Sequence, residues 1–145
     1  PFVKEKFPEV SLLISGTSPT KEVQELASDS VTVSGWMDDI RDAYNQAMIF
    51  IAPMQIGTGL QNKLLEAMSM KIPCVTSKLA NNALNATPDK EILIGNSKEE
   101  YADLIIQLIK NTSISEELGA KGQAYVRNSF NWTASTRKLI NSMGL

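Results

Sequence analysis

The chain has 145 residues, 43% of them apolar, which suits one domain with a real core. Its 14 basic and 16 acidic side chains nearly cancel, which excludes a nucleic-acid scaffold or a polybasic membrane anchor. There is no histidine, the commonest general base near neutral pH, and the single cysteine, Cys74, can make neither an intrachain disulfide nor a catalytic zinc site of the usual ligands.

The first residue is Pro1 and the sequence starts in mid-pattern, so it reads as a fragment of a longer protein. A lone cysteine in an apolar run points to a reducing compartment. No signal peptide and no bilayer-length apolar run is visible, so the expected location is cytoplasmic. Residues 2–7 look like the end of a helix closed by Pro8. An apolar run at 10–16, ending in Gly16, reads as a buried strand. Residues 20–28 place Val23, Leu26 and Ala27 at helical spacing behind Thr20 as N-cap. A second strand follows at 31–35. A helix at 38–47 then carries Asp38 and Asp39 at its start, where the helix dipole favours them. The third strand, 48–53, is continuously apolar, as a strand covered on both faces should be. The pattern then predicts a helix over 59–70, strands at 72–77 and 92–95, and a helix at 98–111 with a capping-box-like start from Ser97 to Glu100. Helical segments near 113–130 and 132–144 finish the chain. The least regular stretch is 78–89, read as a loop at the working edge of the sheet. Alternating short strands and helices predict an α/β fold, an open, mostly parallel Rossmann-like sheet with helices on both faces.

In such a sheet, ligands bind beyond the carboxyl ends of the strands. The loop after the third strand is Gly-rich and runs into a helix. Gly57 and Gly59 lack a Cβ, Thr58 can cap the helix, and first-turn N–H groups favour an anion, so the loop suits phosphate. On the helix, Leu60, Leu64, Ala67 and Met68 form an apolar stripe. Lys63 and Glu66 lie off it, three apart and on one side. Lys63 could meet a phosphate as a point charge, and Glu66 could accept hydrogen bonds from sugar hydroxyls. The same features also fit a tight strand-to-helix turn followed by a solvated ion pair. The dinucleotide fingerprint is incomplete, with Asn62 where its third Gly would stand, and no Walker G-K-[ST] occurs.

Three blocks, 31-VTVSGWMDDIRDAYNQAMIFIAP-53, 57-GTGLQNKLLEAMSMKIPCVTS-77 and 128-NSFNW-132, resemble the C-terminal, donor-binding domain of retaining GT-B glycosyltransferases of the group 1, GT4-like family. The resemblance runs over nearly the whole chain. It implies that residues 1–145 are a partial nucleotide-sugar-binding domain. Glu66 resembles the family's second motif Glu, which binds ribose hydroxyls. The first would fall on Thr58, a departure from the acid that usually contacts the transferred sugar. Backbone N–H groups around Gly59 and Leu60 would meet the diphosphate, beside Gly57 and Lys63. Gly16 resembles the glycine that lets the nucleotide lie close, and Trp36 and Met37 resemble the base-contacting turn, although a Trp after a strand is often plain packing. Lys71 replaces a usual Gly at a helix end, where a Lys suits the dipole but not a left-handed cap.

The family's domain begins with a further strand and a loop bearing an Arg and a Lys that grip the diphosphate. This chain starts after that point. In the order 3-2-1-4-5-6 that strand is central, so 10–16 and 48–53 are expected to pair directly or leave a gap, with rearrangement, a swap or poor stability. The implied function is retaining transfer of a hexosyl unit from a nucleoside diphosphate sugar to a glycan or lipid-linked acceptor. Lys63 and the helix N-terminus would stabilise the diphosphate leaving group. The implied partners are the sugar-nucleotide donor and an acceptor-binding N-terminal domain of the same protein. That domain leaves room for peripheral attachment to the inner face of the membrane. No cofactor beyond the substrate, no metal and no nucleic acid are implied, and this part alone is expected to be inactive. The alternative is a non-catalytic interaction or regulatory domain with a degenerate GT-B fold, compatible with Thr58. A Rossmann epimerase is weakened by the incomplete fingerprint and by the lack of a Tyr-x-x-x-Lys pair: Met48 follows Tyr44 at that offset and Ile105 follows Tyr101.

Overall fold

The computed structural model describes residues 1–57, 59–131, 136, 140 and 141. In chain order the elements are α1 (Phe2–Lys6), β1 (Leu12–Ser15), α2 (Lys21–Gln24), β2 (Val31–Gly35), α3 (Arg41–Gln46), β3 (Phe50–Ala52), α4 (Asn62–Ser69), β4 (Cys74–Thr76), α5 (Lys78–Leu84), β5 (Leu93–Ile94), α6 (Lys98–Lys110) and α7 (Thr112–Ser129). The chain divides into two units, Pro1–Ala47 and Met48–Leu145. The expected parallel α/β architecture is present, with the strands in two sheets, one per unit; of the two outcomes expected for 10–16 and 48–53, direct pairing or a gap, β1 and β3 do not pair.

In the first unit β1 pairs with β2 in parallel, from Leu12 opposite Val31 to Ser15 opposite Gly35, with a register shift after Ile14. Buried apolar side chains are few here, Ala43 and Tyr44 of α3, while Leu12 and Leu13 of β1 stay exposed. The helix predicted over 20–28 is shorter, because the bridge between Ser28 and Val31 turns the chain back into β2. Thr20 holds the N-cap position of α2 without a side-chain cap bond. The helix predicted from 38 starts at Arg41. Asp39 Oδ1 accepts from the Arg41 backbone N–H at 2.9 Å, so its carboxylate still serves the helix entry.

The second unit holds a parallel sheet in the order β3-β4-β5, with Ala52 opposite Thr76 and Thr76 opposite Ile94. The central strand, β4, is wholly buried, which suits the apolar run that leads through Ile72 to Val75. Val75, Leu93, Leu108 and Leu118 form a core cluster that joins β4 and β5 to α6 and α7. Leu64, Ala67 and Met68 of α4 are completely buried, and full burial of a side chain such as Leu64 or Met68 contributes about 1.5–3 kcal/mol. The long helix α7 approaches this unit closely because it carries Gly119 and Gly122. A Cβ at Gly119 would collide with the Lys71 carbonyl oxygen, and one at Gly122 would come within 2.9 Å of the Glu91 carbonyl oxygen.

Two expectations are corrected in this unit. The stretch 78–89 is not a loop throughout, since residues 78–84 form α5. Ser77 Oγ caps it by accepting from the Ala80 N–H at 3.2 Å, and Ala80 and Leu84, one turn apart, bury its inner face. Asn85 ends it at a left-handed φ of 57°, and the Asn81 amide bonds both the N–H and the carbonyl of Ala86. The second correction concerns Lys71. It does adopt the left-handed conformation, φ 64°, in a Schellman ending of α4: Ile72 N–H donates to Ala67 O at 3.1 Å and Lys71 N–H to Met68 O at 3.0 Å. At α6, Ser97 Oγ accepts from Glu100 N–H, as the capping box requires. The Glu100 carboxylate reaches back one residue further than the box predicts, to the Asn96 N–H at 2.9 Å. Most of the helix predicted near 132–144 lies outside the described residues.

Candidate functional site

The site is built on the exit of β3. Pro53 has no N–H and cannot extend the ladder, so β3 stops at Ala52 rather than at 53. Met54 N–H turns back to Ala52 O at 2.8 Å. Side chains from β4 and its exit take over where backbone pairing ends: Thr76 Oγ1 donates to Ala52 O at 2.8 Å and Ser77 Oγ to Met54 O at 2.6 Å. The chain then passes Ile56, which is 85% exposed, and reaches Gly57 at φ 117°, a backbone state that side chains rarely tolerate. Gly57 is therefore required by the turn itself. Gly59 is not. Its φ is unstrained, and a Cβ there would project into open space, which leaves its backbone approachable from that side.

The helix that follows starts later than the sequence pattern predicts. Gln61, not Thr58, occupies the N-cap position of α4, and its side-chain amide folds back to donate to Gly59 O at 2.9 Å. Gly59 and Leu60 thus belong to the loop, and the first helical N–H groups are those of Asn62 and Lys63 rather than those around Gly59 and Leu60. Thr58 lies outside the described residues. Lys63 and Glu66 are both exposed on α4, while Leu64, Ala67 and Met68 on the same helix are buried. The predicted division into a core stripe and a polar side holds, although Leu60, assigned to the stripe, is a partly exposed loop residue.

A cavity of about 320 Å³ opens beside this loop, across the carboxyl ends of all three strands of the sheet. It is lined by 53–55 after β3, 77–79 after β4, and 95–98 with Tyr101 after β5. Gly57, Gly59, Leu60, Lys63 and Glu66 do not line it. The Tyr101 ring packs over Gly95, where a Cβ would come within 2.9 Å of it. Its hydroxyl is buried without a hydrogen-bond partner, and burial pushes its pKa up to about 12. Sequence reading placed 78–89 at the working edge of the sheet but named no site residue at the β4 and β5 exits. Ser77 was legible only as the end of a strand, and the signal that could have found it is its cap spacing to Ala80.

The remaining predicted residues belong to the first unit, at the carboxyl end of its two strands. Gly16 N–H donates to Gly35 O at 3.2 Å and closes the ladder. Trp36 is 71% exposed, so packing does not account for it, and its Nε1–H donates to Asp38 Oδ1 at 3.3 Å. Met37 is half-buried. Next to this turn, hydrogen bonds from Arg41 hold the Asp39 carboxyl below the usual range. The structure thus gathers Gly57, Gly59, Leu60, Lys63 and Glu66 on one loop and helix of the second unit. Gly16, Trp36 and Met37 lie at the strand exits of the first. Among the described residues there is no group of three or more His, Cys, Asp or Glu side chains able to hold a metal, and no helix long and apolar enough to cross a membrane.

Several known proteins are similar to this chain. A Klebsiella pneumoniae protein described as an uncharacterized 44.6 kDa protein in the cps region is 22% identical over 99% of the chain. The chain spans 38% of that protein's length. The crystal structure of Anabaena HepE in complex with UDP matches 94% of the chain and 41% of its own, with a TM-score of 0.82 at 17% identity. The C-terminal domain of LpcC, a group 1 family glycosyl transferase from Francisella tularensis, matches 90% of the chain and 74% of its own, with a TM-score of 0.75 at 19% identity. These likenesses fix the fold as that of a GT-B glycosyltransferase domain. The glycosyl transferases group 1 pattern matches residues 1–111. With its strand exits, its glycine loop and the polar side of α4 set in that matched span, the chain belongs to the glycosyl transferases group 1 family.

Proposed function

We propose that this chain is the sugar-nucleotide-binding part of a retaining glycosyltransferase that moves a hexosyl unit from a nucleoside diphosphate sugar to a glycan or lipid-linked acceptor. The observation that carries the reading is the placement of Lys63 and Glu66. Both are exposed on α4 directly behind the Gly57 turn, at the carboxyl end of a parallel strand, where ligands of open α/β sheets bind. Glu66 takes the ribose hydroxyls and Lys63 the diphosphate. As charge develops on the leaving group, Lys63 and the N-terminal turn of α4 stabilise it, and neither moves a proton. The N–H groups of Asn62 and Lys63 replace those of Gly59 and Leu60 in this role, with Gly57 and Gly59 keeping the backbone open to the ligand. Gly16, Trp36 and Met37 serve the nucleoside. UDP in HepE supports uridine as the base, and the cps region of the Klebsiella protein supports a cell-surface polysaccharide product made in the cytoplasm. The acceptor is held by a further domain at the inner face of the membrane, so the chain alone is inactive.

Titration of the full-length protein with UDP and GDP tests this. Glu66→Gln should lower nucleotide affinity by about 1–3 kcal/mol, the value of a hydrogen bond to a charged group. Lys63→Ala should weaken UDP more than uridine. Unchanged affinity in Glu66→Gln, or equal losses in Lys63→Ala, would refute the assigned roles. A non-catalytic domain of the same fold is favoured instead if the folded protein binds neither nucleotide. Thr58 in place of an acid is the feature behind that second reading.

A further inference from the structure

The hydroxyl of Ser77 sits where two elements of the site meet. As donor it gives its proton to Met54 O at 2.6 Å, and as acceptor it takes the Ala80 N–H at 3.2 Å. One hydroxyl can do both, since it has one proton and two lone pairs. The first bond spans 23 residues of sequence and ties the exit of β3 to the exit of β4. The second starts α5. Pro53 makes the first bond matter. It has no N–H of its own to give the ladder, and the side chains of Thr76 and Ser77 hold the carbonyls of Ala52 and Met54 on either side of it. Thr76 is completely buried and secures Ala52, still inside the strand. Ser77 secures Met54, the first residue past the proline, from which the chain runs to the Gly57 turn and α4.

We propose that Ser77 is a positioning residue for the donor loop. Its bond to Met54 fixes the direction in which residues 54–57 leave the sheet, the Gly57 turn included. It also makes the start of α5 and the start of the loop one hydrogen-bonded unit, so a disturbance at either is felt at the other. The consequence for ligand binding rests on the function proposed above. The consequence for loop order does not.

Three substitutions in the full-length protein separate these points. Ser77→Gly removes the latch but leaves a good N-cap residue, and Ser77→Asp keeps an acceptor for Ala80 with no proton for Met54. Ser77→Thr restores both functions. Amide hydrogen exchange over residues 55–61 should speed up roughly five- to ten-fold in the Gly and Asp variants, one hydrogen bond's worth. It should return to the wild-type rate in Ser77→Thr, with β4 unchanged throughout. The dissociation constant for UDP should rise roughly three- to ten-fold in Ser77→Gly and recover in Ser77→Thr. Wild-type exchange in both the Gly and Asp variants would overturn the latch. Faster exchange with unchanged UDP affinity would overturn its role in positioning the ligand. If the wild-type protein binds no UDP, the donor-site reading fails, and exchange alone decides whether Ser77 orders the loop.

Discussion

Lys71→Gly tests how α4, the helix that carries Lys63 and Glu66, is ended. Lys71 stands at φ 64° in a Schellman turn whose hydrogen bonds are both formed. A left-handed backbone costs a residue with a Cβ roughly 1–2 kcal/mol. Glycine removes that strain but loses about 0.5–1 kcal/mol more conformational freedom on folding. The exposed lysine also gives up an interaction with the helix C-terminus of about 0.3 kcal/mol. The net effect is a gain of about 0.5 kcal/mol, a shift of about 0.2–0.5 M in the urea midpoint at a typical slope. Lys71→Ala keeps the strain and loses the charge, so it should fall a few tenths of a kcal/mol below wild type, roughly the dipole contribution. Urea unfolding of the three proteins reads the difference as opposite shifts at a common slope, with UDP affinity unaltered. Shifts of the same sign for Gly and Ala would refute the assignment of strain to this residue.

Other positions give further tests. Gly119→Ala should destabilise by about 3 kcal/mol or more, as overpacking against backbone does at its worst, because the added methyl meets the Lys71 carbonyl; a stability within about 1 kcal/mol of wild type would contradict the close approach of α7. Ser97→Ala should cost about 1 kcal/mol through the lost cap of α6, seen as a lower thermal midpoint. Tyr101 has an ordinary value of 10 in the unfolded chain and about 12 when folded. A raised folded pKa gives stability that is present below pH 10 and lost as the pH climbs toward about 12. Tyr101→Phe should flatten that alkaline decline and cost little at neutral pH, since the hydroxyl has no partner to lose; an alkaline titration of stability that is the same in both proteins would count against it.

The strands were legible because buried parallel strands leave apolar runs, as at 72–75 before and within β4, which is wholly buried. Their pairing was legible only as two alternatives for 10–16 and 48–53, because an apolar run carries no record of its neighbours, and the strands fall into two sheets. The start of α4 was misplaced because Leu60 fits a helical stripe by spacing. The deciding contact, Gln61 folding back on Gly59, is made by a side chain that no periodicity marks. Helix α5 was overlooked for the opposite reason. Its polar Lys78, Asn81 and Asn82 mask a stripe of only Ala80 and Leu84, and its strongest signal, the Ser77 cap, stood inside what was read as a strand. At Lys71 residue preference pointed away from a left-handed turn. Packing overrode it, with the Ile72 and Ala67 side chains buried on either side of the turn and Gly119 pressed against its carbonyl. Of the candidate site, the motif named residues, and the hydrogen bonds that shape the loop before them were not legible from it.

That geometry explains how an exposed Lys63 and Glu66 can be placed accurately. A side chain on a surface helix is only as well positioned as the helix beneath it. Three separate devices fix α4. Before it, Ser77 and Thr76 hold the β3 exit, and Gln61 closes the loop on Gly59. Along it, completely buried Leu64, Ala67 and Met68 resist rotation about its axis, because turning the helix would bring them to solvent. After it, the turn at Lys71 is trapped against Gly119, and Gln123 of α7 donates to Ser69 O at 2.8 Å. Apart from the Gly59 carbonyl that Gln61 bonds, none of these contacts involves a residue assigned to the ligand. Substitutions at Ser77, Gly119 or Gln123 should therefore alter affinity for a nucleotide only through the placement of α4 and its loop, and their effects on binding should scale with their effects on exchange in residues 55–69. Losses at Lys63 and Glu66 should exceed what their effects on exchange account for.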